Sequence, residues 1–232
     1  MDDRRVALAA RNNAEWCDLF CRAHGIRGGF TSAVWRAPRR PPPFYPDAVT
    51  LSGAAMQADV TAGIDLSPGA SVKDSFGILD LSALGFTELF EAQWVWLDPE
   101  EGSPSPVGSR RWTILDDPTQ LPGWEAAWSG QDQASGSFLP ALLEDPRVSI
   151  LAAWSGSELV AGAVVSRSAA VAGVSNVFDV TGDVETAYAG ASAAARALAP
   201  DVPLVGYEHD SDLEAARAVG FRPIGPLRVW LR

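Results

Sequence analysis

Positive charge is scarce in this sequence, and long apolar runs are absent. The 232 residues include 18 Lys and Arg against 29 Asp and Glu, which gives a formal net charge of −11. A surface of that sign repels a phosphate backbone, so we expect no nucleic-acid partner. No run approaches the roughly 18 consecutive apolar residues that indicate a membrane span. The first residues, MDDRRVALAARNNAEW, are too polar for a secretory signal, so we expect no membrane partner and a cytoplasmic location.

Cysteine is limited to Cys17 and Cys21, which precede His24 in the predicted helix NNAEWCDLFCRAHG. The spacing places all three side chains on one helix face. Thiolate and imidazole groups suit zinc, but a closed zinc site needs four ligands and no second pair accompanies these residues. Together with Trp16 and Phe20, the cysteines instead predict a buried apolar stripe, and we expect no metal.

The basic residues form one local cluster, RAPRRPPPFYP at 36–46, and prolines interrupt it. Its proline content predicts an extended segment. We expect its arginines to contact the acidic body of the protein rather than DNA.

Two stretches of the chain resemble each other: Asp80–Leu97 (DLSALGFTELFEAQWVWL) and Asp212–Leu231 (DLEAARAVGFRPIGPLRVWL). Each begins with Asp-Leu, continues through Gly-Phe at Gly85 or Gly220, and ends in Val-Trp-Leu. Both predict a short helix that ends at a glycine suited to the left-handed conformation. A strand with alternating apolar residues is predicted to follow in each case.

The similarity extends further towards the N-terminus of both stretches. The segments before them are DAVTLSG (47–53), a helix near 54–63 and ASVKDSF (70–76), and then SNVFDVTG (175–182), a helix near 184–198 and VPLVGYE (202–208). We interpret the chain as a duplication. Its first copy, residues 1–103, is predicted to be truncated and to lack the front strands of the second copy, residues 110–232. The Gly-, Ser- and Pro-rich stretch 97–111 is the predicted linker.

The second copy has additional elements in front of the shared ones. RRWTIL (110–115) predicts a strand, and DDPTQLPGWEAAWSG and GSFLPALLEDP (136–146) predict helices. Three strands follow, with turns at Ser155-Gly156 and near 168–170. The complete order is strand, two helices, three strands, helix, strand, helix and strand.

That order, together with the hairpin SGSELVAGAVV and the segment AARAVGF near the end, resembles the GNAT superfamily of acyltransferases. The resemblance implies an α/β fold, with a GNAT-like mixed sheet flanked by helices and a truncated GNAT-like half before it. It also implies acetyl-CoA as cofactor. The pantetheine arm would enter a wedge between the fourth and fifth strands, and the pyrophosphate would lie at the N-terminus of the helix that follows the fourth strand.

The resemblance places the candidate acetyl-CoA contacts in SNVFDVTG. They are the strand residues Asn176, Val177, Phe178 and Asp179 and the loop residues Thr181 and Gly182. The polar Ser175 and Asn176 lie within an apolar strand and need hydrogen-bond partners if they are buried. They would contact either the pantetheine or a neighbouring part of the protein.

The pyrophosphate loop departs from the family pattern, Arg/Gln-x-x-Gly-x-Gly/Ala, in which glycines let main-chain amides approach the phosphates. Here the loop reads VTGDVE, which keeps one glycine and lacks the Arg or Gln. Asp183 and Glu185 stand at the helix start, where Asp183 is a predicted N-cap that would use the free amides itself. A carboxylate there also repels a phosphate, by about 1 kcal/mol in water and roughly 4 near a protein surface at ~4 Å. The sequence therefore predicts a degenerate pyrophosphate site.

The candidate catalytic residues lie in YEHD, at the end of the predicted fifth strand. Glu208 and His209 are the candidate general bases, because an amine must lose a proton to attack a thioester. Many GNAT members carry a tyrosine that protonates the leaving thiolate, and its matching position here is Ala216. Tyr207 is the candidate that remains nearby. Two of these residues have simpler roles open to them: His209 fits a helix start, and Tyr207 fits a half-buried strand.

Tryptophans form pairs with regular spacing. Trp94 and Trp96 share one face of a strand, and Trp124 and Trp128 share one face of a helix. Such stripes indicate core. A cleft between the two halves, lined by Trp35 and Trp94, is nevertheless a candidate small-molecule site.

Three functions follow from these observations. The first is acyl transfer from acetyl-CoA to a small-molecule amine by a monomer or homodimer. The second is a non-catalytic GNAT-like module that binds a ligand or protein partner and no CoA, which the altered loop and Ala216 favour. The third, aminoacyl transfer from tRNA, needs a basic groove, and the net charge of −11 argues against one.

Overall fold

The computed structural model describes residues 3–100 and 110–232 and has a mixed α/β fold. The chain divides into two compact units. Unit 1 contains the residues up to Trp94 together with Pro223–Arg232, and unit 2 is Val95–Arg222. The predicted division into two copies stays a prediction, since these units group residues by compactness. The predicted linker falls largely on residues 101–109, outside the described residues.

Six α-helices lie within the described residues. They are α1 (Asp3–Ala23), α2 (Gln57–Thr61), α3 (Leu121–Ser129), α4 (Ala141–Glu144), α5 (Val184–Leu198) and α6 (Asp210–Ala218). Two short 3₁₀ helices, Ser82–Leu84 and Pro118–Gln120, accompany them. None of these helices combines the length and apolar character that crossing a membrane requires.

The strands of unit 1 are β1 (Gly29–Phe30), β2 (Val34–Arg36), β3 (Ala48–Thr50), β4 (Ser71–Asp74) and most of β5 (Thr87–Leu97). The strands of unit 2 are β6 (Arg111–Ile114), β7 (Val148–Ser155), β8 (Glu158–Arg167), β9 (Ala172–Asp179) and β10 (Leu204–Glu208). The last strand, β11 (Arg222–Leu231), belongs almost entirely to unit 1.

In unit 1 the strand order is β1-β2-β3-β4-β11-β5. Strand β3 runs parallel to β4, whereas β2 and β11 run antiparallel to their neighbours β3 and β4. The core side chains of this unit are apolar residues of β2, β3, β4 and α2 together with Phe86 and Trp230. The sequence did not predict β1 and β2, a short hairpin that precedes β3 and pairs with it. Two- and three-residue strands are too short to show alternation in the sequence.

Helix α1 carries the predicted apolar stripe of unit 1. Cys17 and Cys21 are buried beside Trp16 and Phe20, and neither forms a disulfide. Burial raises the pKa of both thiols above the ordinary value, so they are protonated near neutral pH. A protonated buried thiol is a poor nucleophile and packs as a small apolar group.

In unit 2 the order is β5-β10-β9-β8-β7-β6, where β5 contributes its last residues. Helices α5 and α6 pack on one face, where Tyr188, Leu204 and Ala216 share one core. Helix α3 lies on the opposite face, because Trp124 packs against Phe178 while the neighbouring Val177 packs towards α5. The predicted mixed sheet, flanked by helices, is confirmed.

The local sequence signals for the helix ends and turns are confirmed. Helix α5 has the predicted bounds, and Asp183 caps it by accepting a hydrogen bond from the Thr186 N–H. Gly85 and Gly220 follow their short helices with φ of 79° and 103°. Only glycine adopts these angles without strain, which explains why both short helices end there.

Candidate functional site

Strands β9 and β10 of unit 2 are paired only where they begin. Their parallel register joins Ala172 to Leu204 and Gly173 to Val205, whereas β9 continues to Asp179. Gly206, the next residue of β10, still approaches β9 closely, because a Cβ there would lie 2.8 Å from the Val174 carbonyl oxygen. Beyond these pairs, the main-chain groups of β9 and β10 that face each other form no β-ladder. We call the opening between the two strands the wedge.

A β-bulge distorts β9 along the wedge. Its register against β8 shifts between Ser175, opposite Val164, and Phe178, opposite Gly162. Asn176 within the bulge has a φ of 53°, which is uncommon for a residue other than glycine. The bulge changes the direction of the main chain at the place where the resemblance expects pantetheine to pair. The Ser175 hydroxyl lies 3.0 Å from Asn176 Oδ1, so these two residues are partners of each other.

The Asp179 carboxylate fills the turn between β9 and α5. Its Oδ1 accepts hydrogen bonds from the Thr181 N–H at 2.7 Å, the Thr181 hydroxyl at 2.6 Å and the Asp183 N–H at 3.3 Å. Its Oδ2 accepts a hydrogen bond from the Arg110 guanidinium. Amides of such a turn are the groups that a helix N-terminus offers to a phosphate. Here an internal carboxylate already holds them.

Burial opposes the charge on Asp179, but the hydrogen bonds from Thr181 and Arg110 outweigh it and lower the pKa of Asp179 below its usual value. The Asp179 side chain is fully buried, and Arg110 is mostly buried with it. Arg110 also reaches the Thr181 hydroxyl at 3.3 Å and the Asp183 carboxylate at 3.9 Å. Its positive charge is therefore already matched by two acidic side chains.

The start of α5 is rich in negative charge. Asp183 and Glu185 stand in or beside its first turn, directly after Asp179. The positive end of a helix dipole attracts one anion, worth about 0.3–1 kcal/mol at a surface. The carboxylates of Asp179, Asp183 and Glu185 already lie at this helix end, and each of them repels a further anion. Gly182 lies on the outside of the turn, where an added Cβ would meet nothing within 4 Å.

A second polar cluster lies at the other side of the wedge, where β10 ends. Glu208 lies near Tyr188 on α5 and Asp212 on α6. Burial and, to a smaller extent, the charge of Asp212 raise the pKa of Glu208 to about 8, although the neighbouring Tyr188 hydroxyl opposes the rise. A carboxyl group with that pKa can take or give a proton near neutral pH.

The three predicted catalytic residues do not converge on one point. Adjacent strand residues face opposite sides of the sheet, so the side chains of Tyr207 and Glu208 diverge. His209 is the residue before α6, and its Nδ1 lies 2.9 Å from a carboxylate oxygen of Asp210. The predicted helix-start position of His209 is confirmed. Glu208 is half-buried near Tyr188 of α5 and Asp212 of α6.

The position where the GNAT resemblance expects a tyrosine is part of the core. Ala216 is fully buried, and it belongs to the same cluster of buried residues as Tyr188. No hydroxyl can come from α6 at that point. The buried phenol on this face of unit 2 comes from α5 instead.

The tryptophans are core residues. Trp35 and Trp94 are fully buried in unit 1, where their indole N–H groups donate to Asp18 and to the Ser75 carbonyl oxygen. The predicted small-molecule cleft lined by these two residues is therefore wrong. Within unit 1 their apolar rings are buried, and their indole N–H groups have hydrogen-bond acceptors. Across the residues that the structure describes, no three His, Cys, Asp or Glu side chains are grouped to hold a metal ion.

Solved structures resemble this chain over much of its length at low sequence identity. A GCN5-related N-acetyltransferase from Kribbella flavida matches with a TM-score of 0.63 at 12% identity, covering 96% of this chain and 95% of that one. A GNAT-family protein from Novosphingobium aromaticivorans gives 0.50 at 14%, covering 93% and 94%. A functionally unknown protein from Staphylococcus epidermidis gives 0.55 at 11%, covering 72% and 73%. No family model and no curated protein matches the sequence.

At these identities the likeness establishes the fold and not the chemistry. The chain has the GNAT fold, as the order of its predicted elements indicated. Within that fold, β9 and β10 are the two strands between which the resemblance places the thioester arm, and they diverge after their first residues.

Two residues of the site were missed by sequence reasoning. Arg110 directly precedes β6 at the end of the predicted linker and contacts a residue far away in the sequence, Asp179. Tyr188 left a signal that could have been used: it is the only aromatic residue in the alanine-rich helix α5. A large polar residue in a helix face built of alanine needs a partner if it is buried.

Proposed function

We propose that unit 2 is an N-acyltransferase that takes the acetyl group of acetyl-CoA and transfers it to a small amine. The single observation that carries the proposal is the wedge, in which β9 and β10 separate after Val205 next to a half-buried carboxyl, Glu208. The GNAT fold supports a thioester arm at this place. Bulged main chain near Asn176 supplies unpaired polar groups for the amides of that arm.

In this proposal Glu208 is the general base. The amine nitrogen attacks the thioester carbonyl carbon, the new C–N bond forms and the C–S bond breaks. The proton of the amine passes to the Glu208 carboxylate directly or through a water molecule. The thiolate leaves with the electron pair of the C–S bond and takes its proton from water, because the Tyr207 side chain diverges from Glu208. The roles of Tyr207 as proton donor and of His209 as a second base stay predictions from the sequence. Asn176, Val177 and Phe178 would line the arm.

The proposal gives the pyrophosphate no strong site. The amides of Thr181 and Asp183 are held by Asp179, and the surrounding carboxylates repel a phosphate. We therefore propose that the loop is degenerate and that acetyl-CoA binds mainly through its pantetheine arm. Asp179 and the loop residues Thr181 and Gly182 then maintain the turn and contribute little to coenzyme affinity.

An acetyl-transfer assay tests the proposal. Wild-type protein is incubated with acetyl-CoA and a panel of primary amines, and released thiol is measured. We expect turnover with at least one amine, and a loss of about 10²–10⁴ in kcat for Glu208→Gln because the general base is removed. Glu214→Gln on the exposed face of α6 is the matched control and should keep wild-type activity. Equal activity of the Glu208→Gln and wild-type proteins would reject Glu208 as the base.

A second function is favoured by one observation, the internal filling of the turn by Asp179. In that case the chain is a non-catalytic GNAT-like module that binds another ligand or a protein partner and no CoA. Calorimetric titration separates the two functions. Acetyl-CoA should release or take up heat at micromolar to millimolar concentration if the first is right, and none at millimolar concentration if the second is right.

A further inference from the structure

An open cavity lies at the edge of the unit 2 sheet, between β6, the end of β7 and the segment 116–120 that precedes α3. Its volume is about 440 Å³, which is within the range typical of small-molecule sites. Strand β6 is the last strand in the order of this sheet, and β9 is three strands away. At roughly 4.8 Å per strand, about 14 Å separates β6 from β9. A ligand in this cavity is therefore not the amine that the wedge would acetylate.

One wall of the cavity is the indole ring of Trp154. Trp112 packs towards α5, so its neighbours Arg111 and Thr113 point to the opposite face of the sheet. Trp154 of β7 is the cross-strand partner of Arg111 and shares that face. The Trp154 indole N–H donates a hydrogen bond to the Thr113 hydroxyl at 2.9 Å. The half-buried ring is therefore held in one orientation against the cavity.

Two side chains of opposite charge also line this cavity, Arg111 and Asp116. Both are exposed, and neither forms an ion pair or a side-chain hydrogen bond with any residue that the structure describes. Other arginines of unit 2 have carboxylate partners: Arg110 pairs with Asp179, next to Arg111 in the sequence. The cavity therefore presents one positive and one negative group that are open to a third molecule.

We propose that this cavity binds a free α-amino acid with an apolar side chain. The ligand carboxylate accepts paired hydrogen bonds from the Arg111 guanidinium, whose planar fork of donors suits it. The ligand ammonium group donates to the Asp116 carboxylate. The apolar side chain packs on the Trp154 ring and beside Ile114, which is 49% exposed. The two charges of one small molecule match the two charges of the cavity, and this binding does not depend on the proposed acetyl transfer.

NMR titration of nitrogen-15-labelled wild-type protein with L-phenylalanine and, separately, L-leucine tests the proposal. The indole N–H signal of Trp154, assigned through Trp154→Phe, should move to saturation with a dissociation constant below about 1 mM for at least one of them. This signal reports on the cavity, so an amino acid bound at the wedge would leave it in place. The absence of a saturable shift with both amino acids at millimolar concentration would overturn the proposal.

Two analogues of L-phenylalanine test each charge of the ligand. N-acetyl-L-phenylalanine lacks the ammonium charge, and L-phenylalaninamide lacks the carboxylate. If L-phenylalanine binds, each analogue should bind at least about tenfold more weakly, because one charge of the cavity loses its partner. The N-acetyl and amide derivatives of L-leucine serve in the same way if L-leucine is the ligand. Equal binding of either analogue and its parent would reject an amino acid as the ligand.

Two variants test the protein side of the same contacts. Arg111→Gln and Asp116→Asn each remove one charge from an exposed side chain, so we expect both to fold as the wild type does. Each should weaken binding of the amino acid at least about tenfold. Arg217→Gln and Asp201→Asn change exposed residues elsewhere in unit 2 and are the matched controls, which should bind as the wild type does. Wild-type affinity in either Arg111→Gln or Asp116→Asn would contradict the proposed site.

Discussion

Asp179→Asn is expected to lower the free energy of unfolding by about 3 kcal/mol. Asparagine keeps the shape of the side chain and one oxygen for the Thr181 N–H, but it leaves the mostly buried Arg110 with only the exposed Asp183 carboxylate, 3.9 Å away, as a charged partner. Removing one partner from a buried ion pair costs more than the pair contributed, because the remaining charge stays desolvated. Urea unfolding at pH 7 measures the difference.

Asp145→Asn is the matched control for this measurement. Asp145 also forms an ion pair with an arginine, Arg147, but the Arg147 side chain is 54% exposed. Exposed pairs contribute about 0–1 kcal/mol, so the control should lose less than about 1 kcal/mol. Equal losses in the two variants would mean that Asp179 is not the buried centre of its turn.

The second large effect is a loss of stability with rising pH that depends on Glu208. The folded-state pKa of about 8 lies above the ordinary 4.5, so the folded protein binds this proton more tightly than the unfolded chain does. The resulting stabilisation is complete below pH 4.5 and is lost as the pH rises to 8. A shift of that size corresponds to about 5 kcal/mol in the free energy of unfolding.

Comparison with Glu208→Gln isolates this contribution. Burial also raises the pKa of Asp47 and Asp74 in unit 1, so the wild-type pH dependence contains more than one source. The variant should show a shallower decline from pH 5 to 8 by about 4 kcal/mol, measured by urea unfolding at each pH. Glu214→Gln, an exposed residue of α6, should decline as the wild type does. Parallel curves for Glu208→Gln and wild type would contradict the raised pKa of Glu208.

Elements with local signals could be predicted from the sequence. Helix α5 begins at a capping aspartate and runs through residues with high helix propensity, so its bounds follow from local chemistry. The same holds for the glycines that end the short helices at Gly85 and Gly220. The order of these elements was sufficient to identify the fold.

The contacts of the site were predictable only in part. The carboxylates at the start of α5 predict a poor phosphate site, but the residue that fills the turn is Asp179, which the resemblance places among the coenzyme contacts. Its partner Arg110 lies 69 positions away, and no periodic pattern reports such a pair. The bulge at Asn176 depends on a single positive φ, and one asparagine in the sequence does not predict such an angle.

The pairing of the last strands was also beyond the sequence pattern. Both copies of the predicted duplication end in a similar strand, β5 and β11. Strand β11 pairs antiparallel with β4, and β5 lies next to β10 in the strand order. The last strand of the first predicted copy, β5, is therefore next to β10 of the second, and the last strand of the second, β11, is next to β4 of the first. Alternating apolar residues predict a strand but not its neighbour, because either copy offers the same chemistry.

The most direct test compares the affinities of acetyl-CoA and S-acetylpantetheine, measured by calorimetric titration of the wild-type protein. If the wedge binds the thioester arm and Asp179 fills the pyrophosphate turn, the two dissociation constants should agree within about tenfold, or 1.4 kcal/mol. Binding of acetyl-CoA more than about a hundredfold tighter than S-acetylpantetheine would contradict this, because the phosphates would then contribute at least 2.8 kcal/mol. If neither ligand binds, the GNAT fold still stands, but the proposed acyltransferase function is rejected.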